Sequence, residues 1–300
     1  MTALDPDAAA WLERLRQAGA PPLSRQTPEQ AREAHVAAAA VASAPGDPAV
    51  EARDEVRNGV PVRVYVPERP VGTTVYVHGG GWVVGTLDTY DGVCRALARR
   101  SGSTVVSAAY DLAPEARHPH QVEQVRAVLA GVLAPRPDGP VAAAGDSAGA
   151  HLVTLAAALA PRPPLAALAL VYPVVAPGLD LPSARENAEG CALTTDAMRW
   201  YWRQYLPEGY LPEQAGPVPV GLLDLDLAGL PPTLVLTAGF DPLRDEGLAL
   251  ADALEAAGVP VRRSAYDGQI HGFFRMDAVI GEARRAQDEV GSFLREHLRS

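Results

Sequence analysis

The chain contains no lysine: its 26 Lys+Arg side chains are all arginine. That excludes a lysine nucleophile or Schiff base, whatever chemistry the protein performs. Cysteine is nearly as scarce. Cys94 and Cys191 lie far apart in no CxxC or Cys/His spacing, and read as buried free thiols rather than metal ligands. No apolar run approaches the ~20 residues that span a bilayer. The opening stretch MTALDPDAAAWLERLRQ is acidic and amphipathic, without the basic start or apolar core of a signal peptide, so a cytoplasmic protein is expected. Net positive charge is missing too. A formal charge of −10 argues against nucleic acid or an anionic membrane as the main partner, since both demand a basic face.

What is present is an ordinary globular composition: 300 residues, 48% apolar and 21% charged, enough for one large α/β domain or two smaller ones. Helical patterns cover roughly 6–18 and 28–43, the second opened by Thr27-Pro28-Glu29, which supplies a cap, a proline at the first helical position and an early acid. EARDEV and PVRVYV flank Asn58-Gly59, a hairpin signal. From residue 70 strands and helices alternate: TTVYVH, STVVSAAY, PVAAAG and LAALALVYP are each apolar throughout. Such strands read as buried on both faces, which implies a mostly parallel, doubly wound sheet. The rhythm breaks over about 177–230, where TTDAMRWYWRQYL forms a helix, and resumes with PPTLVLTAG, a helix over 244–257, VPVRRSAYD and a last helix over about 277–298. Residues 1–45 and 177–220 are excursions from one core, placed to meet over one edge.

GDSAG at 145–149 joins an apolar strand to a strong helix former. A serine nucleophile on a strand–turn–helix elbow needs that context. Gly145 and Gly149 remove Cβ atoms where strand and helix would collide, Ser147 is lifted above the sheet, and the Ala148 N–H lies at a helix N-terminus. Serine needs a base and the base an orienting acid. On this type of fold the order is serine, acid, histidine. His151, His271 and His297 follow Ser147. His151 sits one helical turn along the elbow helix, and His297 lies on the amphipathic last helix. His271 remains, in a loop after the last strand, where parallel sheets place chemistry. Asp241 follows a strand directly, yet Asp-Pro is also an ordinary helix cap; Asp245 and Glu246 are the reserve acids. The His78-Gly79-Gly80-Gly81 run after a strand offers backbone N–H donors of the kind that hold an oxyanion. It lacks the GxGxxG or GK[ST] spacing of a phosphate loop.

HGGGW (78–82), GDSAG (145–149), DPLRDEG (241–247) and HGF (271–273), in that order, resemble the hormone-sensitive-lipase-like branch of the α/β-hydrolases, whose commonest members are bacterial carboxylesterases. The likeness extends to YDLAPE, VYP and MRWYWRQYL and so covers essentially the whole chain. The resemblance implies an α/β-hydrolase fold with a helical cap made of 1–45 and an insertion at about 177–220 in a core of 46–300. It implies Ser147 as nucleophile, His271 as base, Asp241 as its partner, and an oxyanion hole at the N–H groups of Gly80, Gly81 and Ala148. His78 becomes a structural residue, and Gly79, Gly145, Asp146 and Gly149 support the motifs. The activity implied is hydrolysis of short- to medium-chain acyl esters through an acyl-enzyme. An arylformamidase or amidase with the same triad is the related alternative, and a non-catalytic small-molecule receptor the more distant one, from which the retained His271 detracts.

Trp82, Trp200 and Tyr201 are candidates for the acyl pocket, although Trp200 and Trp202 at helical spacing are equally suited to cap core. No cofactor or metal is expected, and the partner is a small ester acted on by a monomer or homodimer. The sequence departs from the family at Asp111, where arginine is usual, at His118-Pro119-His120 in place of Phe-Pro-Ala, and at Ala150-His151 in place of Gly-Asn. The roles of Asp111, His118, His120 and His151 are left open.

Overall fold

The computed structural model describes residues 3–135, 139–178, 180–210 and 218–299. Its N-terminal part holds two helices, α1 (Pro6–Ala18) and α2 (Pro28–Ala42). Asp5 caps α1 by accepting from the Asp7 N–H, and Gly19 ends it in the left-handed conformation. At α2 the cap is reciprocal. The Thr27 hydroxyl accepts from the Gln30 N–H while the Gln30 side chain accepts from the Thr27 N–H, so the third helical residue completes what Thr27 begins.

The strands are β1 (Glu51–Arg57), β2 (Val60–Val66), β3 (Thr73–Val77), β4 (Thr104–Ala108), β5 (Val141–Asp146), β6 (Leu168–Val171), β7 (Thr233–Phe240) and β8 (Val261–Ile270). Among the described residues they form one sheet in the order β1-β2-β4-β3-β5-β6-β7-β8. The hairpin β1–β2 and the pair β2–β4 are antiparallel, and every pairing from β4 to β8 is parallel. Strand order reverses beside β3, which lies between β4 and β5. At that switch point the loops at the strand C-termini splay apart and leave a crevice.

The core helices are α3 (Asp91–Ser101), α4 (His120–Leu133), α5 (Ala148–Ala158), α8 (Arg244–Ala256) and α9 (Gly281–Leu298). Period-2 alternation divides them between two cores. On β3, Val75 and Val77 pack with Val125 of α4, Leu152 of α5 and Leu250 of α8. Tyr76 faces the opposite layer, with Leu97 of α3 and Phe293 of α9. The last helix begins later than its pattern suggests. β8 runs on through Gly268-Gln269-Ile270 past a register shift opposite Ala238 and Phe240, and a single 3₁₀ turn, Phe273–Arg275, precedes α9. Gly239 sits at that irregularity because a Cβ there would come within 2.0 Å of the Asp267 carbonyl oxygen.

The insertion carries α6 (Pro182–Glu186) and α7 (Thr195–Tyr205). Thr194 caps α7 by accepting from the Ala197 N–H. α7 packs against the turn Leu23–Arg25 between α1 and α2, so the two excursions touch. Residues 179 and 211–217 of the insertion lie outside the described residues. Among the described residues no helix is long and apolar enough to cross a membrane.

Candidate active site

Ser147 stands between β5 and α5 with φ 52° and ψ −120°. Positive φ in a residue with a Cβ is strained, and it persists only where the surroundings over-determine it. Here the two flanking glycines do so. A Cβ on Gly149 would lie 1.9 Å from the Val77 carbonyl oxygen, and one on Gly145 would lie 2.6 Å from the Gly149 backbone. With both Cβ atoms absent, α5 starts one residue after β5 and packs against β3, and the Ser147 N–H donates to the Val171 carbonyl at 2.8 Å.

His271 and Asp241 come to this serine from the ends of β8 and β7. His271 Nε2 lies 3.0 Å from Ser147 Oγ, and Nδ1 lies 2.6 Å from Asp241 Oδ2. An ionised carboxylate only accepts, so Nδ1 carries the proton and Nε2 presents its lone pair to the serine hydroxyl. Asp241 is fully buried. Its other oxygen, Oδ1, accepts from the Leu243 N–H at 2.8 Å. Capping the turn before α8 and orienting the histidine thus fall to different oxygens of one group. The Tyr172 ring, 4.6 Å from that of His271, limits its rotation.

The reserve acids are engaged elsewhere. Asp245 accepts from the Ser183 N–H and pairs with Arg244. Glu246 accepts from the Val175 N–H at 2.8 Å. Burial first, then backbone donors and the Asp241 charge, set its titration, and the net result lifts its carboxyl to about 8.

Gly80 and Gly81 follow β3 with φ of 106° and 56° and border the cavity that holds Ser147 and His271. The N–H groups of Gly80, Gly81 and Ala148 donate to no protein group among the described residues. The loop is held from beneath by Asp146. Its Oδ1 accepts from the Gly79 N–H at 2.9 Å and the Tyr76 hydroxyl at 2.7 Å, and its Oδ2 from the Tyr90 hydroxyl at 3.0 Å. Burial and the Asp146 charge push both tyrosines well above the usual phenol range, which keeps them donors. His78 stacks on Tyr110 at 4.4 Å, and its Nδ1 donates to the Gly79 carbonyl at 2.7 Å. Burial lowers its pKa, which favours the neutral ring.

The cavity at Ser147 measures about 140 Å³. Of the three aromatic candidates for its wall, Tyr201 borders it. A Cβ on Gly81 would fall 2.1 Å from the Tyr201 ring, so loop and helix meet there without clearance. Trp82 lies elsewhere, fully buried and stacked at 4.2 Å on Tyr205. Trp200 is buried edge-on against Tyr201. Both indoles pack in the core: Trp200 on the inward face of α7, and Trp82 in the turn after the glycines, where its stacking on Tyr205 holds it. The sequence reading did not identify His35, Met198 or Arg275, which also border the cavity. They come from α2, α7 and the turn after β8, and no local motif marks any of them. A second cavity of about 670 Å³ lies beside the insertion, with Met198 common to both walls.

The four departures from the family pattern also find partners. Asp111 and His120 pair with each other at 2.8 Å on the surface. His118 accepts from the Tyr205 hydroxyl at Nδ1 and donates to the Val218 carbonyl at Nε2. His151 donates to the Val220 carbonyl at 2.8 Å, and burial drops its pKa to about 3. His118 and His151 therefore hold the returning end of the insertion. His297 is half-buried on α9, its Nδ1 2.9 Å from the Phe293 carbonyl. Cys94 is buried and Cys191 half-buried, both as free thiols.

A mostly parallel sheet that brings a serine, a histidine and a carboxylate together at its strand ends defines a serine hydrolase of α/β type. The family model described as alpha/beta hydrolase fold matches residues 74–275. The chain belongs to the α/β-hydrolase family, in its hormone-sensitive-lipase-like branch. It is 38% identical over 242 residues to carboxylesterase NlhH of Mycobacterium tuberculosis, covering 76% of this chain and 75% of that one. It is 34% identical over 328 residues to an ethyl acetate hydrolase of Pseudomonas putida, covering 98% and 99%. Among solved structures, an esterase from the bacterial hormone-sensitive lipase family superposes with a TM-score of 0.88 at 28% identity, covering 99% of this chain and all of that one.

Proposed function

We propose that this protein is a carboxylesterase that uses Ser147 to cleave short acyl esters through an acyl-enzyme. The observation that carries the reading is the hydrogen-bonded run Asp241–His271–Ser147, ending on a serine held at positive φ. Ser147 Oγ attacks the ester carbonyl carbon as His271 Nε2 takes its proton. The carbonyl oxygen becomes an oxyanion within reach of the Gly80, Gly81 and Ala148 N–H groups. Such donors are each worth about 10²–10³ in rate. The tetrahedral intermediate collapses, the ester C–O bond breaks, and the alcohol leaves with the proton from His271. Water then gives a proton to the same nitrogen and attacks the acyl-enzyme. The acid departs and Ser147 recovers its proton. Asp241 stabilises the imidazolium in both halves without itself taking up a proton.

In this reading residues 1–45 and the insertion at about 177–220 form the cap. α2 supplies His35 to the cavity wall, and α7 supplies Met198 and Tyr201. About 140 Å³ at the serine suits a short acyl group, well below the ~300 Å³ at which drug-sized pockets begin. Ser147→Ala is expected to abolish turnover of 4-nitrophenyl acetate and butyrate with an unchanged thermal midpoint. A phosphonate ester is expected to label the wild-type protein on the peptide bearing Ser147. Retained turnover in the variant overturns the serine mechanism. Faster hydrolysis of N-formylkynurenine than of any simple ester makes the protein a formamidase instead.

A further inference from the structure

The cavity at Ser147 contains a cation that the ester chemistry does not use. Arg275 borders it from the 3₁₀ turn four residues after His271. Its Nη1 atom is buried and has no hydrogen-bond partner among the described residues. His35 borders the same cavity from α2, and its Nε2 is likewise buried without a partner. Leaving one such group unsatisfied costs about 1–3 kcal/mol, and more for a charged one. Two of them on the wall of one small cavity are unusual in a protein that pairs its arginines widely.

The carboxylate on that wall offers no relief. Asp146 has its oxygens engaged by Tyr76, Gly79 and Tyr90, and Arg275 forms no ion pair among the described residues. The aromatic side chains that feel its charge are Tyr90, Tyr172 and Tyr201. Burial and the Arg275 charge hold His35 well below the usual imidazole range, so its neutral ring has one N–H to donate. A guanidinium and a neutral imidazole on the wall of one cavity offer N–H donors to the two oxygens of a planar anion.

We propose that Arg275 and His35 form an anion subsite, and that the preferred substrates are short esters bearing a carboxylate a few bonds from the scissile carbonyl. The inference rests on the esterase reading and adds to it a substrate class. The carboxylate docks on Arg275 Nη1 and His35 Nε2 while the ester carbonyl faces Ser147 and the Gly80-Gly81 loop. The subsite is built from α2 and the turn after β8, outside the four motifs that define the family. With a formal net charge of −10, the protein as a whole does not draw anions in, so the selectivity arises locally.

The test compares carboxylate and carboxamide isosteres, followed by pH-stat titration. O-acetyl-lactate is set against O-acetyl-lactamide, and monomethyl succinate against methyl succinamate. The first pair places the anion on the alcohol side, the second on the acyl side. The readout is the ratio of kcat/KM within each pair, which a general loss of folding leaves unchanged. In Arg275→Gln the ratio is expected to fall about tenfold or more for at least one pair, the size of a lost charge-assisted hydrogen bond. Arg275→Lys is expected to restore part of it. A ratio within about twofold of wild type for both pairs in Arg275→Gln, or a native enzyme that hydrolyses the carboxamides and neither carboxylate, overturns the subsite and leaves the esterase intact. Failure to cleave any ester, neutral or anionic, sinks the esterase reading first and the subsite with it.

Discussion

Asp241 uses one carboxylate oxygen for the Leu243 N–H and the other for His271, and Glu246, five residues on, shows what the same chemistry becomes without a basic partner. Buried beside the Asp241 charge, Glu246 titrates near pH 8 in the folded protein against an ordinary value of 4.5. Between those values the folded state binds a proton that the unfolded state has released, so stability falls as pH rises. That contribution is fully present below about pH 4.5 and lost by the time pH has passed about 8. Glu246→Gln keeps an oxygen for the Val175 N–H and has no proton to lose. The variant is expected to melt above the wild type at pH 8–9, with the gap closing toward pH 5. Parallel melting curves across that range count against a protonated Glu246. At the same scale, the departures from the family pattern occur in matched sets. Asp111 and His120 change together into a surface pair, and His118 and His151 each donate to a carbonyl of 218–220.

The unit that makes the site possible is the junction of β5 and α5 with β3. Its glycines matter for where a Cβ would go. At Gly149 it would meet the backbone oxygen of Val77, which no rotamer change can move. Gly149→Ala is therefore expected to cost at least about 2 kcal/mol, in the range of overpacked cores. The displaced elbow should lower esterase kcat as well. Thermal melts and 4-nitrophenyl butyrate kinetics check both, and wild-type behaviour in each would show that α5 does not bear on β3 at this point. Strands and helices of this kind were largely legible beforehand, because an apolar run bounded by turn residues needs no partner to be recognised. The errors fell at β8 and the helix after it. There the strand continues across a register shift with β7, and pairing with a neighbour is not written in a strand's own residues.

Across the whole molecule, two side-chain layers cover the sheet, and α7 packs on the turn Leu23–Arg25. Met198 of α7 lines both the cavity of about 140 Å³ at the serine and the one of about 670 Å³ beside the insertion. Met198→Ala is expected to join them and to raise kcat/KM for 4-nitrophenyl octanoate relative to butyrate by about tenfold, as two further methylenes find burial at about 0.8 kcal/mol each. An unchanged chain-length profile would show that the larger space is closed to the acyl group.

The sequence by itself determined the fold class and put forward Ser147, Asp241 and His271 as candidates, which the structure brings within hydrogen-bonding distance. Its apolar strands, glycine-bounded serine and ordered Asp and His are local patterns, each made by the backbone conformation of a few adjacent residues. The tertiary structure decided everything that depends on distance between remote segments. It placed Trp82 and Trp200 in packing and left Tyr201 at the cavity, and it turned Asp146 into the clamp under the glycine loop. It also brought Arg275 and His35 together on one wall. Those outcomes depend on which surfaces the sheet and its excursions present to each other, and residues 240 positions apart carry no local mark of meeting.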